Sequence, residues 1–312
     1  MDGATLTYDG VEIPDFGDRR FPYGVMEVTR RCNLRCETCF FFQAFQHEDD
    51  DLPEEVLLAS LRVLQRRHGI KFMSWVGGEP LLRRRVVEAA VDIFPVNVMF
   101  TNGLLPIPDL PIAIGVSLDG PPAINDAVRG KGVYERVTRN LQAVPRPVFI
   151  QCVVTQRNVA ALESFAAVLT KLPNVMGVIF SIYVPQRGDR SGLGFALAER
   201  DRVITLLLGL KDRYGPFILN EGRALELALS PTCRQVTDSC DMKVHALALD
   251  YRLRRRQPCC YGENVDCDLC AVPTPFSLAA RAERGRTLGS DPSAAAPDGM
   301  PQALTRAASP WT

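Results

Sequence analysis

The sequence predicts an α/β fold built on a parallel sheet, and three observations carry that expectation. Strand-like apolar runs alternate with helix-like segments from residue 24 to residue 213. The strand-like runs are apolar nearly throughout, as strands covered on both faces are. Residues unsuited to a core, namely cysteine, glycine, acids and asparagine, stand directly after the strands, where parallel α/β folds collect their chemistry.

The elements follow in order. "GVMEVT" (24 to 29) reads as a short strand, and "PEEVLLASLRVLQRRHG" (53 to 69) as a helix with Pro53 at its start and Gly69 at its end. "KFMSWV" (71 to 76) is an apolar strand, followed by a helix through "VVEAAVDIF" (86 to 94). Strands recur at "VNVMF" (96 to 100), "IAIGVSL" (112 to 118), "PVFIQCVVT" (147 to 155) and "VMGVIFSIYV" (175 to 184). Helices are expected at 133 to 143, 158 to 171 and 199 to 213. Six such units describe a parallel sheet, either open or curled into a partial barrel.

Composition narrows the function classes. The chain of 312 residues exceeds one average domain, although an α/β barrel fills ~200–250 residues as one unit. A main domain with a small appendage is expected. Lys and Arg number 36 against 36 Asp and Glu, which argues against a chain-wide nucleic-acid surface. No stretch reaches the ~20 apolar residues of a membrane span, and "MDGATLTYDG" lacks the regions of a signal peptide. A cytoplasmic setting is expected.

In a reducing compartment, clustered cysteines serve as metal ligands or catalytic groups more often than as disulfides. Nine of the ten cysteines fall between 32 and 39 or between 233 and 270, while Cys152 lies alone in an apolar strand. Cys32, Cys36 and Cys39 share one short loop. A structural zinc site needs four closed ligands, whereas a four-iron cluster held by three thiolates keeps one iron open for a cofactor. Zinc and a redox thiol stay as alternatives on spacing alone. The next strands lead into "GGEP" (77 to 80), "TNG" (101 to 103) and "SLDG" (117 to 120), so these segments converge on one mouth.

Cys32-x3-Cys36-x2-Cys39 after a first strand, with "GGEP" after a second, resembles the radical S-adenosylmethionine superfamily across residues 24 to 184. The resemblance implies a (β/α)6 partial TIM barrel over 24 to 214, preceded by a lead-in of residues 1 to 23. It also implies a [4Fe-4S] cluster on Cys32, Cys36 and Cys39 that chelates S-adenosylmethionine and cleaves it reductively. In that setting Gly77 and Gly78 let the backbone approach the methionine amine, Glu79 accepts from the ammonium, and Pro80 completes the motif. Ser117 and Asp119 stand where a ribose hydroxyl or the methionine carboxylate would lie, and Asn102 ends the neighbouring strand. "TNG" is also an ordinary turn and "LDG" a common loop start. The family usually has an aromatic residue before its third cysteine; here that residue is Thr38, and Phe40, first of three phenylalanines, is the candidate to cover the adenine.

Residues 215 to 278 form a small cysteine-rich extension that resembles the SPASM and twitch regions of the superfamily, which hold auxiliary iron–sulfur clusters. Cys240, Cys260, Cys267 and Cys270 are the expected ligands of one auxiliary [4Fe-4S] cluster, with a zinc ribbon or free thiols as the alternative. Two thiols are then spare. Cys259 is the first candidate to return a hydrogen atom to a substrate radical and Cys233 the second, and the roles of Cys259 and Cys260 can be exchanged. "VPQRGDRSGLGFALAE" (184 to 199) reads as a mobile loop over the mouth. Residues 279 to 312 have a disordered composition.

The expected function is hydrogen abstraction from a small sugar-like or aminoglycoside-like metabolite, giving epimerisation or dehydrogenation, with flavodoxin or ferredoxin as electron donor. Only 23 residues precede the first strand, so no leader-binding domain is expected in cis, and ribosomal-peptide modification ranks second. Hopanoid-type adenosylation ranks third, on "GGEPLL", "LDG" and "GKGVY". A non-catalytic iron–sulfur scaffold is the reading from another class.

Overall fold

The computed structural model describes residues 5–8, 10–45 and 50–285. Two short strands, β1 (Thr5–Tyr8) and β2 (Val11–Pro14), pair as an antiparallel hairpin. The six expected strands follow as β3 (Tyr23–Glu27), β4 (Phe72–Val76), β5 (Val96–Thr101), β6 (Ala113–Ser117), β7 (Val148–Val154) and β8 (Val175–Ile182). They lie parallel, side by side in chain order. A seventh parallel strand, β9 (Ala246–Leu249), pairs with β3, and β10 (Arg255–Arg256) runs antiparallel beside it, giving an eight-stranded sheet. The helices are α1 (Phe40–Ala44), α2 (Glu54–His68), α3 (Arg84–Ala90), α4 (Pro122–Arg129), α5 (Val133–Gln142), α6 (Leu162–Leu169), α7 (Leu197–Tyr214), α8 (Gly222–Leu227), α9 (Ser230–Asp238), α10 (Asp241–Val244) and α11 (Pro273–Glu283).

Strand pairing sorts the side chains by face, because residues paired across a sheet point the same way. Met26, Trp75, Met99, Ile114, Ile150 and Phe180 point to one face and join the large core with Leu57, Leu61 and Leu64 of α2. The opposite, inner face carries Tyr23, Phe72, Val98, Ala113, Phe149 and Ala246, which form a second apolar cluster closed by Leu278 of α11. Tyr23, Phe72, Ala113 and Ala246 each begin a strand, so this cluster fills the N-terminal end of the sheet's inner side. Towards the C-terminal ends the same face turns polar, with Glu27, Ser74, Ser117, Gln151 and Ser181. An apolar floor beneath a polar mouth leaves the chemistry at the C-terminal ends, as in other parallel barrels.

The cysteine-rich extension is continuous with the barrel, since β9 extends the barrel sheet on the far side of β3. Two expectations about organisation change. Helix α11 runs through Ala279 to Glu283 with Phe276 and Ala280 buried, so the expected tail begins inside a packed helix. Its residues 286 to 312 lie outside the described residues. The loop from 184 to 199 is pinned instead of free: Gln186 pairs with Val265, Arg187 N donates to Asn264 O at 2.6 Å, and Asp266 N donates to Pro185 O at 3.0 Å. Among the described residues no helix is long and apolar enough to cross a membrane.

Arg200 of α7 anchors the cysteine-rich segment from beneath. It is 1 % exposed, and its guanidinium donates to the carbonyls of Ala228 (2.8 Å) and Cys270 (3.2 Å). Arg200→Met leaves those buried carbonyls without donors, which should cost about 3 kcal/mol in urea unfolding.

Candidate active site

The cysteine loop leaves the end of β3 and is held by the loop that leaves β4. Val28 N donates to Val76 O (2.8 Å), Gly78 N to Thr29 O (2.9 Å) and Glu79 N to Arg31 O (2.8 Å), so strand-like pairing continues past both strands. The approach is too close for side chains. A Cβ on Gly78 would stand 1.9 Å from Arg31 O, and one on Gly77, whose φ is +128°, would stand 2.8 Å from Thr29 O. These glycines are therefore required by the backbone of the cysteine loop.

Glu79 serves a similar purpose. Its fully buried carboxylate accepts from Thr101 Oγ1 (2.7 Å), Asn102 N (2.8 Å) and Leu81 N (3.0 Å). It ties the "GGEP" loop to the end of β5. Pro80 opens a single 3₁₀ turn behind it. Asn102 directs Nδ2 to Asn33 Oδ1 (2.7 Å) and towards Cys32 Sγ (3.8 Å), so it borders the cysteine loop as its position after β5 suggested.

The three loop thiols stand within one another's electrostatic reach. Burial raises the pKa of Cys32 and Cys39 and pushes Cys36 up to about 11. A smaller mutual repulsion adds to it, Cys39 acting on both partners. Among the described residues no group of three His, Cys, Asp or Glu side chains surrounds a point where a single metal ion could sit. Three thiols spread around one loop fit a cubane cluster, which takes each thiolate on a separate iron.

The fourth segment brings a correction. Asp119, expected beside the cofactor, is fully buried and accepts from Val153 N at 2.8 Å. Its other oxygen faces Arg129 Nε at 2.8 Å, and Arg129 Nη1 reaches Cys36 Sγ at 4.0 Å. The acid thus meets a cation instead of a ribose. Arg129 escaped the sequence reading because α4 was not foreseen. Ser117 ends β6 half-buried on the inner face. Phe40 packs against Tyr261 with ring centroids 4.8 Å apart, so its partner is the cysteine-rich segment. Phe41 is core, and Phe42 lies under the Arg35 guanidinium at 4.2 Å.

The second thiol group lies across the mouth, around α10 and the segment from 259 to 270. Burial raises the pKa of Cys240, Cys267 and Cys270; the charge of Cys259 adds to it in all three, and Cys240 and Cys267 also act on Cys270. Cys260 is affected most by the thiol hydrogen bond it shares with Cys259 and by burial, and less by Glu27. Cys233 is buried in α9 against Ser230 O (3.7 Å) and offers no open thiol. Cys152 is fully buried in β7, and His245 is exposed.

Glu27 is the residue that sequence reasoning passed over. It ends β3 on the inner face, 2 % exposed, and its carboxylate takes Arg256 Nε (3.3 Å) and Nη2 (3.2 Å). Among the described residues these long contacts are its only hydrogen bonds. Burial pushes its carboxyl up to about 7 against the opposing pull of Arg256. An acid inside the apolar run "GVMEVT" was the available signal.

Comparisons with known proteins agree with this geometry. Residues 26–146 match the Radical SAM superfamily. An uncharacterized protein of Methanocaldococcus jannaschii, MJ0907, is 27% identical over 223 residues, 63% of this chain and 73% of that one. The mycofactocin maturase MftC of Mycobacterium tuberculosis is 30% identical over 161 residues, 46% of this chain and 41% of the maturase. The chain thus spans less than half of that relative. Among solved structures, anSMEcpe with bound AdoMet superposes with a TM-score of 0.60 at 18% identity, covering 77% of this chain and 75% of that one. Streptococcus suis SuiB bound to its precursor peptide SuiA gives 0.60 at 16%, covering 74% and 58%. At these identities the structures establish the partial-barrel fold.

Two outcomes follow from the packing and the charges. Gly78→Ala should lose about 3 kcal/mol or more in urea unfolding, because backbone, not a flexible side chain, must move. Glu27 has a folded pKa near 7 against an ordinary 4.5, so the folded state holds its proton longer and stability falls as pH rises between those values. That fall amounts to about 3 kcal/mol. Glu27→Gln should flatten the same interval in unfolding curves of the metal-free protein.

Proposed function

We propose, from the premise that this chain carries the radical SAM domain over residues 26–146, that it abstracts a hydrogen atom from a small polar metabolite of the sugar or aminoglycoside kind. The outcome is epimerisation or dehydrogenation. The observation that carries this reading is the inner face at the strand ends, where Glu27, Ser74, Ser117, Gln151 and Ser181 stand above an apolar floor. Hydroxyl or amine groups of a substrate find partners there, whereas a polycyclic lipid would leave those groups unsatisfied.

When bound, the [4Fe-4S] cluster and S-adenosylmethionine supply the electron and the adenosyl fragment that takes the hydrogen atom. Cys32, Cys36 and Cys39 would hold the cluster. Glu79, Gly77 and Gly78 keep the loop closed around it, and Asn102 and Ser117 border the cofactor space. Arg31, Asn33 and Arg35 expose the loop's outer side, where a one-electron donor such as flavodoxin or ferredoxin would approach. A cytoplasmic setting, in which thiols stay reduced, belongs to this reading.

The C-terminal thiols are proposed to hold a second [4Fe-4S] cluster. Their electrostatic coupling favours Cys240, Cys259, Cys267 and Cys270 as ligands. Cys260, beside Glu27, then becomes the free thiol able to return a hydrogen atom. This exchanges the roles first expected of Cys259 and Cys260. A second reading, radical modification of a peptide, is favoured by the similarity to a mycofactocin maturase and to SuiB, whose structure holds a precursor peptide.

Anaerobically reduced protein should convert S-adenosylmethionine to 5′-deoxyadenosine, and Cys36→Ala should yield none; product from that variant, or none from wild type, sinks the radical reading. Reconstituted wild type should bind about eight irons and the Cys32/Cys36/Cys39→Ala variant about four. Cys259→Ala should lose about four irons while Cys260→Ala keeps them all. The reverse pattern would restore Cys260 as the ligand.

A further inference from the structure

We infer that Arg129 is a built-in cation of the cluster site: it raises the reduction potential of the cluster on Cys32, Cys36 and Cys39, and Asp119 holds it in position. The inference rests on the radical reading, because it needs a cluster on that loop.

Placement comes first. Arg129 is the last residue of α4, its side chain is 8 % exposed, and Nη1 stands 4.0 Å from Cys36 Sγ. The distance between helix and loop is set separately, by Glu37 N donating to Val128 O at 2.9 Å. Nε pairs with Asp119 Oδ2 at 2.8 Å. Asp119 cannot swing, because Val153 N binds its Oδ1 (2.8 Å), Asn125 Oδ1 takes its backbone N–H (3.0 Å), and Asn158 Nδ2 donates to its carbonyl (2.8 Å). The ion pair thus ties the guanidinium to a fixed carboxylate.

The electrostatic consequence follows. One-electron reduction adds negative charge to a cluster and its sulfurs, and nearby net charge and donors to the sulfurs set the potential. A cation within about 4 Å favours the reduced form, more strongly where water is excluded. Arg35, like Arg31 an exposed guanidinium of the loop, is turned to the carbonyls of Cys32 (3.1 Å) and Leu34 (2.8 Å). Water screens it, while Arg129 is screened little. Both cations act on Cys39, and the buried Arg129 acts more strongly than Arg35.

The test is an EPR-monitored redox titration of the full reconstituted chain without S-adenosylmethionine. The signal of interest is the one missing from the Cys32/Cys36/Cys39→Ala variant. Arg129→Met should shift its midpoint to more negative potential, and Arg129→Lys should recover most of the shift. Full iron with an unchanged midpoint in Arg129→Met overturns the inference, as does an equal shift in the Met and Lys variants. Arg129→Gln is the second neutral variant: loss of the loop's irons in both Met and Gln, with retention in Lys, supports the need for charge. Loss in all three makes the role one of shape, and the inference falls. Equal iron in wild type and the triple-cysteine variant would instead sink the underlying radical reading.

Discussion

The site depends on one backbone approach, that of Gly78 to the carbonyl of Arg31. Where residue 78 would carry a Cβ, the carbonyl oxygen already stands. Because the two loops touch as bare backbone, the hydrogen bonds of β3 and β4 continue beyond the sheet to Glu79. The cysteine loop is thereby held as an extension of the barrel. From that point the ties pass sideways. Glu79 reaches Thr101 and Asn102, and Asn102 reaches back to Asn33 and Cys32.

Buried carboxylates are costly unless donors surround them, and the site uses that cost selectively. Glu79 takes three donors. Asp250 takes the backbone N–H groups of Arg252 and Arg254 together with the Arg254 guanidinium. Asp119 combines a backbone donor with an ion pair. Such groups are rigid joints, since no rotation improves their bonding. Glu27 differs: it has one partner, at long distance, and no backbone donor, so its proton is held near neutrality. Within the mouth it is the acid free to respond to what binds, and such poised groups mark functional sites.

The cysteine-rich segment is joined to the barrel by the same elements that hold the cysteine loop. Strand β9 lies against β3. Arg256 pairs with Glu27 and stacks over Phe45 at 3.6 Å, while Gly262 packs on the same ring. Tyr261 meets Phe40, the residue next to Cys39. The two thiol groups are thus set at fixed separation by ring contacts and one ion pair on either side of β3. The pinned loop at Gln186 and Arg187 closes the same assembly from β8.

By itself the sequence determined the local chemistry. Apolar runs of the right length made six parallel strands, three cysteines in eight positions marked the cluster loop, and paired glycines marked a close approach. These signals are short-range, and each needs only its own neighbours along the chain. Tertiary structure decided what faces what. That Gly78 meets Arg31, that Asp119 meets Arg129 and that "VHALALDY" returns as a strand beside β3 depends on residues tens to hundreds of positions apart. The same holds for Glu27, whose meaning comes from Arg256, 229 positions away. The hairpin at "TLTYDGVEIP" was legible in principle from Asp9-Gly10 between alternating runs. Helix α4 is short and follows two prolines, and it carried no signal that its last residue would reach a cysteine 93 positions earlier. Spacing identifies ligands because a loop is local. Partners of buried charge are chosen by the fold, because only burial makes a partner necessary.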